Sequence, residues 1–174
     1  MSGVSARTRA LAGSIGFFVV GPVLEAGIGP WVITGGFSRG EGALDATSAR
    51  VAGVLLIAAG VVVVVQCFVT FVRDGIGTPS PLAPTAHLIV RGPYRHVRNP
   101  MYVATATIIA GEGLLLAQPI LLACAVLYVG ALSVLVRRSE QPHMRARFGT
   151  EYDEYCAAVP AWLPRLRAWE PGRD

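Results

Sequence analysis

Long apolar runs alternate along this chain with short polar stretches rich in arginine. The first run covers residues 10–33, starts just after Arg7 and Arg9, and is interrupted by Pro22, Glu25 and Pro30. It is longer than a signal-peptide core and no small-residue cleavage site follows, so a retained span is expected. The second run, 51–72, has Gln66 and Thr70 as its polar side chains and reads as a membrane-spanning helix. The last, 101–136, would reach about 54 Å as one helix at 1.5 Å per residue, well beyond a hydrocarbon core of about 30 Å. It must fold back, and Gln118-Pro119 is the natural break. The pattern therefore predicts an all-α integral membrane protein with about four spans, at 10–33, 51–72, 101–117 and 119–136, the last two a tight hairpin.

The connections differ sharply from the spans. Residues 73–100 contain five prolines, which cannot donate a backbone hydrogen bond and push their predecessors out of helical geometry; an extended aqueous or interfacial loop is expected. After the fourth span, Met144, Phe148, Tyr152, Tyr155 or Cys156, and Val159 recur every three to four residues, the apolar stripe of an amphipathic helix. Arg145, Arg147, Asp153 and Glu154 take its other face, and Trp162 and Trp169 suit a membrane interface. Pro142 should break or kink the helix that precedes it, leaving Glu140 and Gln141 near a helix end with unpaired backbone groups. The whole reads as a single domain, with a cytoplasmic loop at 73–100 and a cytoplasmic C-terminal region at 137–174.

Composition agrees with a membrane protein, since 53% of the residues are hydrophobic. The net charge of +4 rests on arginine alone among the basic residues, and most arginines flank apolar runs. With the N-terminus cytoplasmic, four spans leave Arg39 and Arg50 outside and the other thirteen of the 15 arginines inside, as the positive-inside rule requires. Both termini are thus expected in the cytoplasm, in a bacterial inner membrane, with membrane lipids as neighbours. No basic and aromatic pattern of a nucleic-acid module is present. Cys67, Cys124 and Cys156 lack disulfide or metal spacing, and no carboxylate or cysteine accompanies His87 and His96 at ligand spacing, so no metal site is expected.

Two patches carry candidate chemistry: RGPYRHVRNPMY at 91–102, and Arg137 to Gln141. Glu25 and Glu112 are carboxylates within apolar runs, where an ionisable group is costly and points to function or to a polar partner in the bundle. Glu25, between Pro22 and Pro30, falls where the helix should open locally.

These residues resemble a known family. GTPSPLAP, then LIVRGPYRHVRNPMY, then SEQPHMRARFGTEYDEYCAAVPAWLPR is similar to the isoprenylcysteine carboxyl methyltransferases and their relatives among phospholipid methyltransferases. The likeness covers residues 77–165. Gly92, Pro93, Tyr94, Arg98, Pro100 and Tyr102 match its first block, and Glu140, Phe148, Gly149, Tyr152, Tyr155, Val159 and Pro160 its second. Asn99 stands where histidine is usual, Gln141 where a second glutamate is usual and Met144 where leucine is usual; the first two keep hydrogen bonding but lose titration or charge.

The resemblance implies an S-adenosylmethionine-dependent methyltransferase acting on a lipophilic small molecule or lipid at the cytoplasmic interface, a carboxylate among the possible acceptors. It implies cofactor contacts at His87, Gly92, Tyr94, Val97, Arg98, Asn99, Pro100, Tyr102, Glu140 and Gln141, and catalytic roles for Arg98, Tyr102, Arg137 and Glu140. Arg98 or the backbone near Gly92 would hold the cofactor carboxylate. Glu140 would take its ribose hydroxyls or amino group, Tyr94 or Tyr102 would line its adenine or methyl end, and Arg137 would orient an anionic acceptor. A non-catalytic protein of the same fold and an NADPH-dependent reductase of sterol-reductase type are the alternatives, separated by which cofactor binds.

Overall fold

The computed structural model describes residues 20–42, 44, 46–74 and 88–170. Among them every regular element is helical and no strand occurs. Helix α1 is Val20–Ile33, α2 is Thr47–Asp74, α3 is Pro100–Leu115 and α4 is Pro119–Leu135. A π-turn at Val136–Glu140 joins α4 to α5, Gln141–Phe148, and α6 is Thr150–Ala158. Two helical stretches are long and apolar enough to cross a membrane, Thr47–Thr70 and Pro119–Phe148. The other two expected spans correspond to shorter apolar helices, Val20–Ile33 and Pro100–Leu115; the 10–19 part of the first lies outside the described residues.

The chain divides into two compact units. One combines Val20–Val64 with Met101–Val134. Its surface is apolar where lipid would cover it, with Leu55, Val126 and Leu127 between 64% and 73% exposed. Inside, α2 and α3 approach closely at Gly60, where a Cβ would sit 2.5 Å from Ile108 Cγ1 and 2.8 Å from the Ala104 carbonyl oxygen. Apolar helices gain little from excluding lipid, so close backbone packing of this kind is what holds them together. The expected break at Gln118-Pro119 is present: Ala117 takes a left-handed φ of 51° and the Gln118 amide closes the α3 end on the Gly113 carbonyl at 2.8 Å. Glu25 sits in a π-turn, Leu24–Ile28, directly before Gly29-Pro30, so the helix does open locally there. Its carboxylate accepts a 2.6 Å hydrogen bond from the Tyr128 hydroxyl. Glu112 keeps one buried oxygen without a hydrogen-bond partner among the described residues.

The second unit holds the described parts of Val65–Pro100 and Leu135–Asp174. Two expectations are corrected in it. Pro142 does not break the helix. The five-residue turn at Val136–Glu140 sends the Gln141 amide to the Val136 carbonyl, and the helical run continues from Pro119 to Phe148. Widening the ladder just before Pro142 gives the proline ring room that a regular α-helix lacks. The C-terminal amphipathic stretch is likewise two helices, because Gly149, at φ 54° and ψ −129°, turns the chain between α5 and α6 through backbone space that favours glycine. The apolar stripe itself is real: Tyr152, Tyr155 and Val159 are buried, with Met144, Phe148 and Cys156 packed against them. Trp169 joins that cluster, its ring 5.8 Å from that of Tyr155.

Candidate functional site

The 88–99 segment is extended up to Arg91, turns through one 3₁₀ turn at Gly92–Arg95, and feeds α3 at Pro100. Two prolines set this course. Pro93 opens the 3₁₀ turn, and Pro100, as the first residue of α3, costs no hydrogen bond because that position has no intrahelical acceptor. Gly92 takes φ 53°, and a Cβ there would meet the Thr70 hydroxyl of α2 at 3.1 Å. The Tyr94 side chain hydrogen-bonds Cys67 one turn earlier on the same helix. The loop therefore rests on the last turns of α2.

From the other side the segment is strapped by residues 160–170, running antiparallel to it. The Arg98 amide donates to the Pro160 carbonyl at 2.9 Å, and the Asn99 side-chain amide to the Ala161 carbonyl at 3.1 Å. The Arg165 amide donates to the His96 carbonyl at 2.9 Å, while His96 Nδ1 lies 2.9 Å from the Arg165 carbonyl. Farther along, the Trp169 amide reaches the Arg95 carbonyl at 3.0 Å. The Arg95 guanidinium returns bonds to the Trp169 carbonyl at 2.8 Å and to Glu170 at 2.6 Å. The Tyr155 hydroxyl adds a 2.7 Å bond from α6 to the Tyr94 carbonyl. Asn99 thus has a task that needs a side-chain donor and no titration, which accounts for an amide at that position.

Arg98 is the electrostatic centre of this unit. Its Nη1 donates to Cys156 Sγ at 2.7 Å, and Tyr152 and Tyr155 face the same guanidinium. Burial pushes the Tyr152 phenol up to about 12, with Cys156 beside it adding to the rise and Arg98 opposing it. Burial raises Tyr155 as well, again against the pull of Arg98. The guanidinium is not fully satisfied: Arg98 Nε is shielded from solvent without a hydrogen-bond partner among the described residues. A buried cationic donor left open is costly, and an anionic or strongly polar acceptor is what would complete it. That requirement fits a carboxylate-bearing cofactor.

The remaining sequence-derived candidates fall in different settings. Val97 and Pro100 are buried, Val97 at 4% exposure, and act from within the packing. Glu140 and Gln141 are half-buried where the π-turn meets α5, and Arg137 is exposed on that turn. Tyr102, in the first turn of α3, belongs to the other unit, and His87 lies outside the described residues. Sequence reasoning missed Cys156 as the partner of Arg98, although its place on the apolar stripe next to Tyr152 and Tyr155 marked it as facing inward. It also missed Cys67, which the plain apolar run gave no means of singling out. Among the described residues no group of three or more histidine, cysteine or acidic side chains is placed to hold a metal.

The family model of phospholipid methyltransferase matches residues 48–151, well over half of the 174-residue chain. Nickel-cobalt-cadmium resistance protein NccN of Alcaligenes xylosoxydans xylosoxydans is 34% identical over 82 residues, which are 47% of this chain and 38% of that protein. The match thus spans well under half of that relative's length. No solved structure matches the chain.

Proposed function

Because the chain belongs to the phospholipid methyltransferase family, a family of membrane methyltransferases, we propose that it transfers a methyl group from S-adenosylmethionine to a lipophilic acceptor at the cytoplasmic membrane surface. The observation that carries this reading is the open, solvent-shielded Nε of Arg98 within a unit that holds most of both family blocks. When bound, the cofactor supplies an electrophilic methyl group on a sulfonium, which an acceptor takes by in-line displacement. In that reading Arg98 holds the cofactor's carboxylate, with the exposed backbone at Gly92 beside it. Glu140 accepts hydrogen bonds from its ribose hydroxyls or amino group, and Gln141, uncharged, serves as a second polar contact. Tyr94 or Tyr102 lines the cofactor's adenine or methyl end, and Arg137, exposed on the π-turn, attracts an anionic acceptor. Positioning and exclusion of water supply most of the rate in such a displacement, so a general base is needed only where the acceptor must lose a proton.

The arginine distribution supports four spans with both termini in the cytoplasm, and so an inner-membrane enzyme whose water-soluble cofactor enters from the cytoplasm. Calorimetric titration of S-adenosylhomocysteine into the purified protein tests the reading. Micromolar binding is expected, with at least a hundredfold weakening in Arg98→Ala and about tenfold in Glu140→Ala, since lost bonds to charged groups cost about 1.5–3 kcal/mol each. Absence of binding to folded wild-type protein, or binding of NADPH instead, would overturn it.

A further inference from the structure

We propose that the strap at residues 160–170 is also a membrane-surface anchor, with Leu163 and Leu166 seated in the boundary between lipid headgroups and acyl chains. The strap is pinned to the 95–99 segment at Pro160, Ala161, Arg165 and Trp169. Between those pins the chain is not helical, and Leu163 and Leu166 stand away from the protein while Trp162 is half-buried. Leu166 is 100% exposed and Leu163 80%, the two highest exposures among the large hydrophobic side chains of the described residues. The aromatic cluster takes Trp169 instead, so the leucines are not spare core residues. A pair of leucines left in water at fixed backbone positions calls for an apolar phase.

Three observations identify that phase as the bilayer. The loop carrying the strap rests on α2 through Cys67 and Thr70, and Thr70 is the last residue of the Thr47–Thr70 candidate span. The strap therefore lies at the level where a span leaves the hydrocarbon. Its charges suit phosphates: residues 161–168 read AWLPRLRA, with Arg165 and Arg167 and no acidic side chain. A second copy docking symmetrically through the same patch would instead bring like arginines together across the two-fold axis.

Photo-crosslinking tests this without reference to catalysis, so its failure and that of the methyltransferase reading are separate events. The full chain carrying Leu166→benzoylphenylalanine is placed in nanodiscs of phosphatidylcholine and phosphatidylglycerol, irradiated, and its peptides weighed. A phospholipid adduct at position 166 is expected, at least tenfold above that from Glu154→benzoylphenylalanine on the acidic face of α6. A covalent dimer, or a yield no higher than at 154, overturns the proposal. In the double variant Leu163→Ser and Leu166→Ser, amide hydrogen exchange over 162–168 in nanodiscs should rise at least tenfold, and an unchanged rate likewise overturns it.

Discussion

The two compact units are held together by different forces. In the unit formed by Val20–Val64 and Met101–Val134 the helices meet backbone to backbone, as at Gly60, and polar contacts such as Tyr128 to Glu25 are few. In the unit containing the 88–99 loop and the C-terminal helices, backbone hydrogen bonds between irregular segments do much of the work, around one aromatic cluster and one guanidinium. The first arrangement suits a medium without water, where shape is the available source of attraction. The second suits irregular segments that must fix one another in place through their own backbone groups.

Substitutions should separate the two designs. The largest effect is expected from Gly60→Val. The Ala104 carbonyl, 2.8 Å from the new Cβ, is backbone and cannot step aside, so the variant should lose about 3 kcal/mol or fail to assemble, as followed by unfolding in mixed micelles. Next comes Tyr155→Phe, which keeps the ring of the aromatic cluster and deletes the bond to the Tyr94 carbonyl. A loss of about 1–2 kcal/mol is expected, with faster amide exchange at 94–99 and no change in α2 or α3. The mildest perturbation is alkaline pH. Burial keeps Tyr152 neutral up to about 12 in the folded chain, whereas an unfolded tyrosine ionises near pH 10. Between those values the unfolded state sheds a proton that the native state retains, so this contribution is intact below pH 10 and is lost as pH rises to about 12. The thermal midpoint should fall across that window, and Tyr152→Phe should flatten part of the fall.

Much of the architecture was legible in the sequence because it rests on periodicity or on proline. The apolar runs marked α2 and the hairpin, Gln118-Pro119 marked its turn, and spacings of three and four placed Tyr152, Tyr155 and Val159 on one buried face. One proline misled. At Pro142 the rule that proline ends a helix assumes regular geometry on its N-terminal side, and the π-turn relaxes that assumption. The tail after α6 gave no sign of its pairing, yet the carbonyls of Pro160, Ala161 and Arg165 accept or face bonds that organise the candidate site. Backbone pairing between two aperiodic segments leaves no trace in side-chain order. The packing of Trp169 against Tyr155 left no such trace either: its environment is set by the partner of the strap, not by its own neighbours.

The π-turn at Val136–Glu140 amounts to one residue more than a regular helix would use over the same rise. Each residue advances an α-helix by about 100°, so that extra residue works as an angular offset. Were Val136–Glu140 to close as ordinary α-helix with no residue removed, Glu140 and everything after it would turn by about 100° relative to Leu135. Met144 and Phe148 would swing off the Tyr152 cluster, and Glu140 would leave its half-buried position. Deleting Ser139 would instead remove the surplus residue and let the ladder close as α-helix with the downstream face still in phase, whereas deleting one residue within α5 would misalign it.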